Sequence, residues 1–205
     1  NIVLASGTGG YTFAGTLNGL GGLTKVGTGT FTMTGSSGYS GVTTLGGGAL
    51  ALGSANALPA SGTITFSGGA LQYTASNTTD YTARIASSGS AVAIDTNGQA
   101  VTFTGGIGSS NTGGLTKLGS GTLTLSGSSG YSGATTLAGG VLALGNANSL
   151  PASGNVTFTG GTLQYSASNT SDLASRIASS TTAISIDTNG QSVTWAGNVA
   201  NTNTG

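Results

Sequence analysis

Four aspartates, two lysines and two arginines carry all the charge in these 205 residues, and histidine and cysteine are absent. Each charge can therefore be weighed singly. Asp80 and Arg84 return as Asp172 and Arg176. Four residues apart, they suit an ion pair on a loop or a single helical turn, or pairs between neighbouring strands, worth little at a surface. Asp95 and Asp187 each open Asp-Thr-Asn-Gly, a turn in which Asp bonds to its own backbone and Gly takes a positive φ. The same oxygens would suit a hard cation such as calcium. The Gly-Gly-x-Gly-x-Asp spacing of calcium-binding β-rolls is missing, so the turn is the expected role.

Ser-His and Cys-His nucleophile systems cannot be built without His or Cys. Polysaccharide chemistry on a β-scaffold needs clustered acids, whereas these aspartates are sparse and recur identically. No enzyme is expected, and no catalytic, cofactor-binding or metal-binding residue. Gly105-Gly106-Ile107-Gly108 precedes neither a helix nor a P-loop lysine, so it reads as a corner and not as a phosphate loop. Lys25 and Lys117 fall in mid-strand, where a solvated, outward position that discourages edge pairing is expected. Tyr39 and Tyr131, in Ser-Gly-Tyr-Ser-Gly corners, are the candidate surface contacts. Phe103 is replaced by Trp195 in the second occurrence, which favours core packing over a sugar platform. Thr30, Thr32, Thr34, Thr43 and Thr44 offer hydroxyl rows of the sort that bind ice, but such a grid should recur on every turn and these return only once per 92 residues.

Formal net charge is zero and only 4% of residues are charged, leaving no basic patch for nucleic acid or anionic membrane. Yet 36% are hydrophobic, and they alternate with Thr and Ser, unlike a disordered linker. No apolar run approaches the ~20 residues that span a bilayer as a helix. A chain without cysteine also suits export through an oxidising periplasm.

What must hold these residues is a repeat. Gly22–Gly113 returns as Gly114–Gly205 without a gap, a period of 92 residues. Ser36-Ser37-Gly38-Tyr39-Ser40-Gly41 matches Ser128 to Gly133, and Leu58-Pro59-Ala60-Ser61-Gly62 matches Leu150 to Gly154. Residues 1–21 read as the tail of a preceding copy, 22–113 as copy one and 114–205 as copy two. This organisation predicts a continuous piece of a longer array.

Period-two alternation predicts strands near Leu23–Val26, Thr30–Thr34, Val42–Leu45, Ala49–Leu52, Thr63–Phe66, Ala70–Tyr73, Ala91–Ile94 and Ala100–Thr104. One face of each is apolar, as in Phe31 and Met33, Leu50 and Leu52, or Val101 and Phe103. Winding such strands into a coil encloses that face, and the 40 glycines supply its corners. The expected fold is all-β, a parallel β-helix or β-solenoid with about 22 to 32 residues per turn and three or four turns per copy. An array of antiparallel sandwiches of about 90 residues is the competing all-β reading; dense glycine and few large core residues favour the coil.

The stretch Gly22-Leu23-Thr24-Lys25-Val26-Gly27-Thr28-Gly29-Thr30-Phe31-Thr32-Met33-Thr34-Gly35, continuing through Tyr39 to Leu45 and Ala49 to Gly53, resembles the autotransporter-associated β-strand repeat, also called the passenger-associated transport repeat. The second copy is closer still, with Gly121-Thr122-Leu123-Thr124-Leu125-Ser126-Gly127. The resemblance implies a right-handed β-helical passenger of a bacterial surface protein, exported through an outer-membrane β-barrel located elsewhere in the full-length chain. It also implies an extracellular place, at the cell surface or secreted, and a motif that assists folding and secretion. Two functions are expected from this: a spacer, stalk or fibre capable of lateral or end-to-end self-association, or an adhesin that binds glycans or surfaces through a Thr/Ser/Asn-rich face.

Overall fold

The computed structural model describes residues 1–205. Nineteen short strands account for nearly all its regular structure, with single 3₁₀ turns at Thr82–Arg84 and Ala174–Arg176. Strand positions follow from alternation. Thr30–Met33 reads half-buried, buried, half-buried, buried, and Ile64–Phe66 repeats the pattern with Thr65 outward. The inward row expected from the sequence is inside: Phe31, Met33, Leu50, Leu52, Ile64, Phe66, Val101 and Phe103 are all 5% exposed or less.

All strand pairs are parallel. Ile2–Ala5 pairs with Leu23–Val26, which pairs with Thr43–Leu45, and that strand with Ile64–Phe66. The second face runs from Tyr11–Phe13 through Thr30–Met33, Ala49–Leu52, Ala70–Gln72, Val92–Asp95, Leu115–Leu118 and Thr135–Leu137 to Val156–Phe158. The third holds Leu17–Gly19 on Ser37–Tyr39 and, further along, Ala100–Phe103 through Ser185–Asp187. The chain visits the three faces in order and then begins the next turn, a β-solenoid of about nine turns. Neighbouring strands are about 4.8 Å apart along the axis. The expected parallel coil is what forms, and the competing antiparallel sandwich is excluded: with every ladder parallel, each strand meets its partner one turn away and never a hairpin neighbour.

The turn is shorter than expected. From Ile2 to its partner Leu23 is 21 residues, from Thr30 to Ala49 is 19, and from Ala70 to Ala93 is 23. The estimate of three or four turns per 92 residues was too low, because corners take only a few residues. Glycine permits this. Gly114, at φ +87°, passes so close beneath the next turn that a Cβ would overlap the Ala134 carbonyl oxygen. The turn also does not divide the sequence period. Leu23–Val26 lies on the first face, but Leu115–Leu118, the same motif 92 positions on, lies on the second; likewise Thr30–Met33 is on the second and Thr122–Leu125 on the third.

One core of 35 buried residues runs from Leu4 to Ile177 without interruption. Removing such side chains from water contributes about 1.5–3 kcal/mol each. Because each turn is covered only by its neighbours, stability accrues turn by turn.

Candidate functional site

The charged residues are spent on the coil's own backbone. Asp80 and Arg84 do not pair with each other. Asp80 Oδ1 accepts the Thr82 N–H and hydroxyl at 2.8 and 2.7 Å, while Oδ2 accepts the N–H and hydroxyl of Thr104, one turn on, at 2.7 and 2.6 Å. Burial pushes this carboxyl up, but the bonds from Thr104 and Thr82 outweigh it and hold it below the ordinary range. Arg84 reaches the other way, donating to the carbonyls of Gly62, Pro59 and Ser61 at 2.7, 2.7 and 3.2 Å. Its guanidinium carbon lies 5.2 Å from the Tyr81 ring centre, within cation–π range. The expected ion pair is therefore corrected to a staple across three turns. Most of its bonds are to backbone groups at the corners, from the buried Pro59 and Thr82 to the exposed Ser61 and Thr104.

Lys25 and Lys117 are not on the outside. Each is fully buried. Alternation explains it: Leu23 points in, so Lys25, two residues on, must also point in. Its ammonium reaches a corner and donates to the carbonyls of Val26, Gly27 and Gly47 at 2.8, 3.3 and 3.1 Å. Lys117 does the same with Leu118, Gly119 and Gly139 at 2.7, 2.8 and 3.1 Å. Loss of water lowers both lysines, and Lys117 falls to about 8.

Tyr39 and Tyr131, the candidate surface contacts, are also inside, at 1% and 0% exposure. Their hydroxyls meet Thr43 and Thr135 at 2.7 and 2.6 Å, and burial raises both, Tyr131 to about 12. Ser37–Tyr39 reads half-buried, exposed, buried, so the ring of Tyr39 faces the core, and the Thr four residues later satisfies its polar end. Leu20, Val3 and Tyr11 are the exposed large hydrophobic side chains of the first turn instead.

Asp95 and Asp187 hold turns, as expected. Asp95 Oδ1 accepts the Asn97 N–H at 2.9 Å, with Asn97 and Gly98 at φ +47° and +80°. The other oxygen accepts Gln72 Nε2 from the turn below at 2.7 Å, and Gln164 does the same for Asp187 at 2.8 Å. Sequence reasoning missed these Gln–Asp rungs, along with Ser88 and Ser180, whose buried hydroxyls accept the N–H of Phe66 and Phe158. Their signal was present in the 92-residue recurrence of Gln, Asp and Ser at fixed places, although pairing across turns needed the register. Trp195, in place of Phe103, packs against the core and donates its indole N–H to the Tyr165 hydroxyl at 3.1 Å.

Comparison with known proteins bears on this arrangement. The passenger-associated-transport-repeat model matches residues 23–52 and 115–144, the segments that contain both buried lysines and both inward tyrosines. The chain is 36% identical over 196 residues to the adhesin BmaC autotransporter of Brucella suis biovar 1 (strain 1330). That match covers 82% of this chain but 6% of the relative. No solved structure matches. With two copies of the transport repeat wound into a parallel coil, and an autotransporter similar over most of its length, the chain is a passenger-repeat segment of the autotransporter family.

Proposed function

We propose that this segment is a spacer: a stiff, uncharged, right-handed rod within a passenger displayed at, or released from, the bacterial surface. It works without catalysis, and its repeats assist the folding and secretion of the passenger. The observation that carries this reading is the unbroken core from Leu4 to Ile177. A coil without a domain break transmits position along its axis and has no joint at which to bend. Right-handedness accords with the general preference of parallel β-crossovers. The barrel that exports and anchors such a rod would lie in another part of the full-length protein.

In this reading the unit of length is the 92-residue copy. At 19 to 23 residues per turn, a motif that moves to the next face with each copy spans four turns and a third. Each copy then adds about 20 Å to the rod. Electron microscopy of chains carrying two, four and six copies tests this directly. Expected are rods that lengthen by that increment, and compact beads joined by linkers would overturn the reading. Near-absence of charge leaves little to oppose side-by-side or end-to-end association.

A second reading is favoured by one specific observation, that the similar Brucella protein is named an adhesin. The outward Thr, Ser and Asn rows would then contact glycans or another surface. Binding that survives dilution to single rods and is lost when one face is mutated would support it over a spacer alone.

A further inference from the structure

Two polar grooves on the rod are built from equivalent positions 92 residues apart. One includes Asn56, Leu58, Pro59, Asp80, Tyr81 and Arg84; the other includes Asn148, Leu150, Pro151, Asp172, Leu173 and Arg176. They are not equally open. The first encloses about 210 Å³ and the second about 530 Å³. Sites that take small ligands begin near ~300 Å³, so only the second has the room.

Three exchanges separate their chemistry. Leu173 stands where copy one has Tyr81, Ala174 where it has Thr82, and Ala196 where it has Thr104. In copy one the Tyr81 ring lies against Arg84, and all three guanidinium nitrogens donate to carbonyls. Both Asp80 oxygens accept twice. That groove is narrow and its polar atoms are committed. In copy two the ring is gone. Arg176 donates through Nε to Gly154 and through Nη2 to Ser153, and its Nη1 has no partner within the chain. Asp172 has lost both hydroxyl donors. Its Oδ1 accepts only the Ala174 N–H, and Oδ2 accepts the N–H groups of Ala196 and Gly197. Asp172 is exposed where Asp80 is half-buried.

We propose that the Asp172–Arg176 groove binds a neutral saccharide unit. A free guanidinium N–H and a carboxylate oxygen with spare capacity offer a donor and an acceptor to sugar hydroxyls. Asn148, Ser128 and Ser171 on the same groove add neutral partners, and the buried Leu150, Pro151 and Leu173 form the apolar part of its wall. One charge of each sign leaves the groove without net charge, so it favours neither an anionic nor a cationic ligand and suits a neutral one. The inference deepens the gripping alternative, but places the site in a groove and not on the Thr rows.

The test titrates the ¹⁵N-labelled 205-residue chain with maltose, cellobiose, lactose and N,N′-diacetylchitobiose up to about 50 mM, since a single-unit site is expected at ~1–10 mM. Amide shifts should be confined to residues 128–129, 147–152 and 171–176, with 55–60 and 79–84 unmoved. Leu173→Tyr returns the ring of copy one and should abolish the shifts. In copy one that ring is held beside Tyr73 and Asn77, and an unchanged melting temperature of the variant shows that its fold is intact. The proposal is overturned if no sugar in the panel moves these amides, if the shifts survive Leu173→Tyr, or if both grooves respond alike. Shifts confined to the outward Thr rows would also overturn this site while supporting adhesion elsewhere.

Discussion

At Lys117 an ammonium is held inside the coil by three carbonyls, and the cost of removing it from water sets a pH dependence. The folded chain releases that proton near 8, whereas an unfolded lysine keeps it to 10.5. Between those values the unfolded chain binds more protons, so stability rises with pH. Above about pH 10 unfolded tyrosines ionise, but Tyr131 keeps its proton to about 12; the native state then binds more, and stability falls. The urea midpoint is thus expected to climb from pH 8 to a maximum near pH 10 and then decline, with the climb reduced in Lys117→Met to what Lys25 contributes. A midpoint that falls steadily from pH 8 would show that Lys117 is not desolvated as described. Tyr131 makes a second residue-scale case. Tyr131→Phe strands the buried Thr135 hydroxyl and should cost about 1–2 kcal/mol, whereas adding Thr135→Val should recover most of the loss, since removing both partners leaves no orphan. A double-mutant cycle in urea separates this hydrogen bond from simple loss of packing.

At the scale of the element, corners are as specified as strands. Gly114→Ala would place a methyl against the Ala134 carbonyl and force an L-residue to φ +87°, so a loss of about 2 kcal/mol or more is expected. Gly89 is the control, because a Cβ there meets nothing within 4 Å; Gly89→Ala should leave the urea midpoint near that of the parent chain. The strands were largely legible beforehand. Leu23–Val26 and Ala49–Leu52 were placed to the residue, and Thr30–Thr34 extends one residue past the observed Met33, because apolar alternation is a local property of the chain. Lys25 and Tyr39 were misplaced for the opposite reason. Their charge and corner context pointed outward; for Lys25 the period of two had already assigned the interior, whereas Tyr39 stands among Ser and Gly with no alternation to place it, and three carbonyls or one threonine hydroxyl made that interior tolerable. Asp80 and Arg84 were found by type and spacing. Their partners were not, since Thr104 and Pro59 lie more than twenty positions away and only the register brings them within reach.

Over the whole molecule, the mismatch between a turn of about 21 residues and a motif period of 92 has a consequence for how such proteins diversify. Because the same motif shifts from the first face to the second between copies, gaining or losing one copy changes more than reach. It turns everything beyond by a third of a revolution, while a gain of three copies restores the original aim. Spin labels fixed on one face at each end of chains with two, three and five copies should report angular offsets that return only after three, as a camshaft returns its lobes. On the spacer reading proposed above, rods that differ by one copy would point their tips in three directions as well as differ in length.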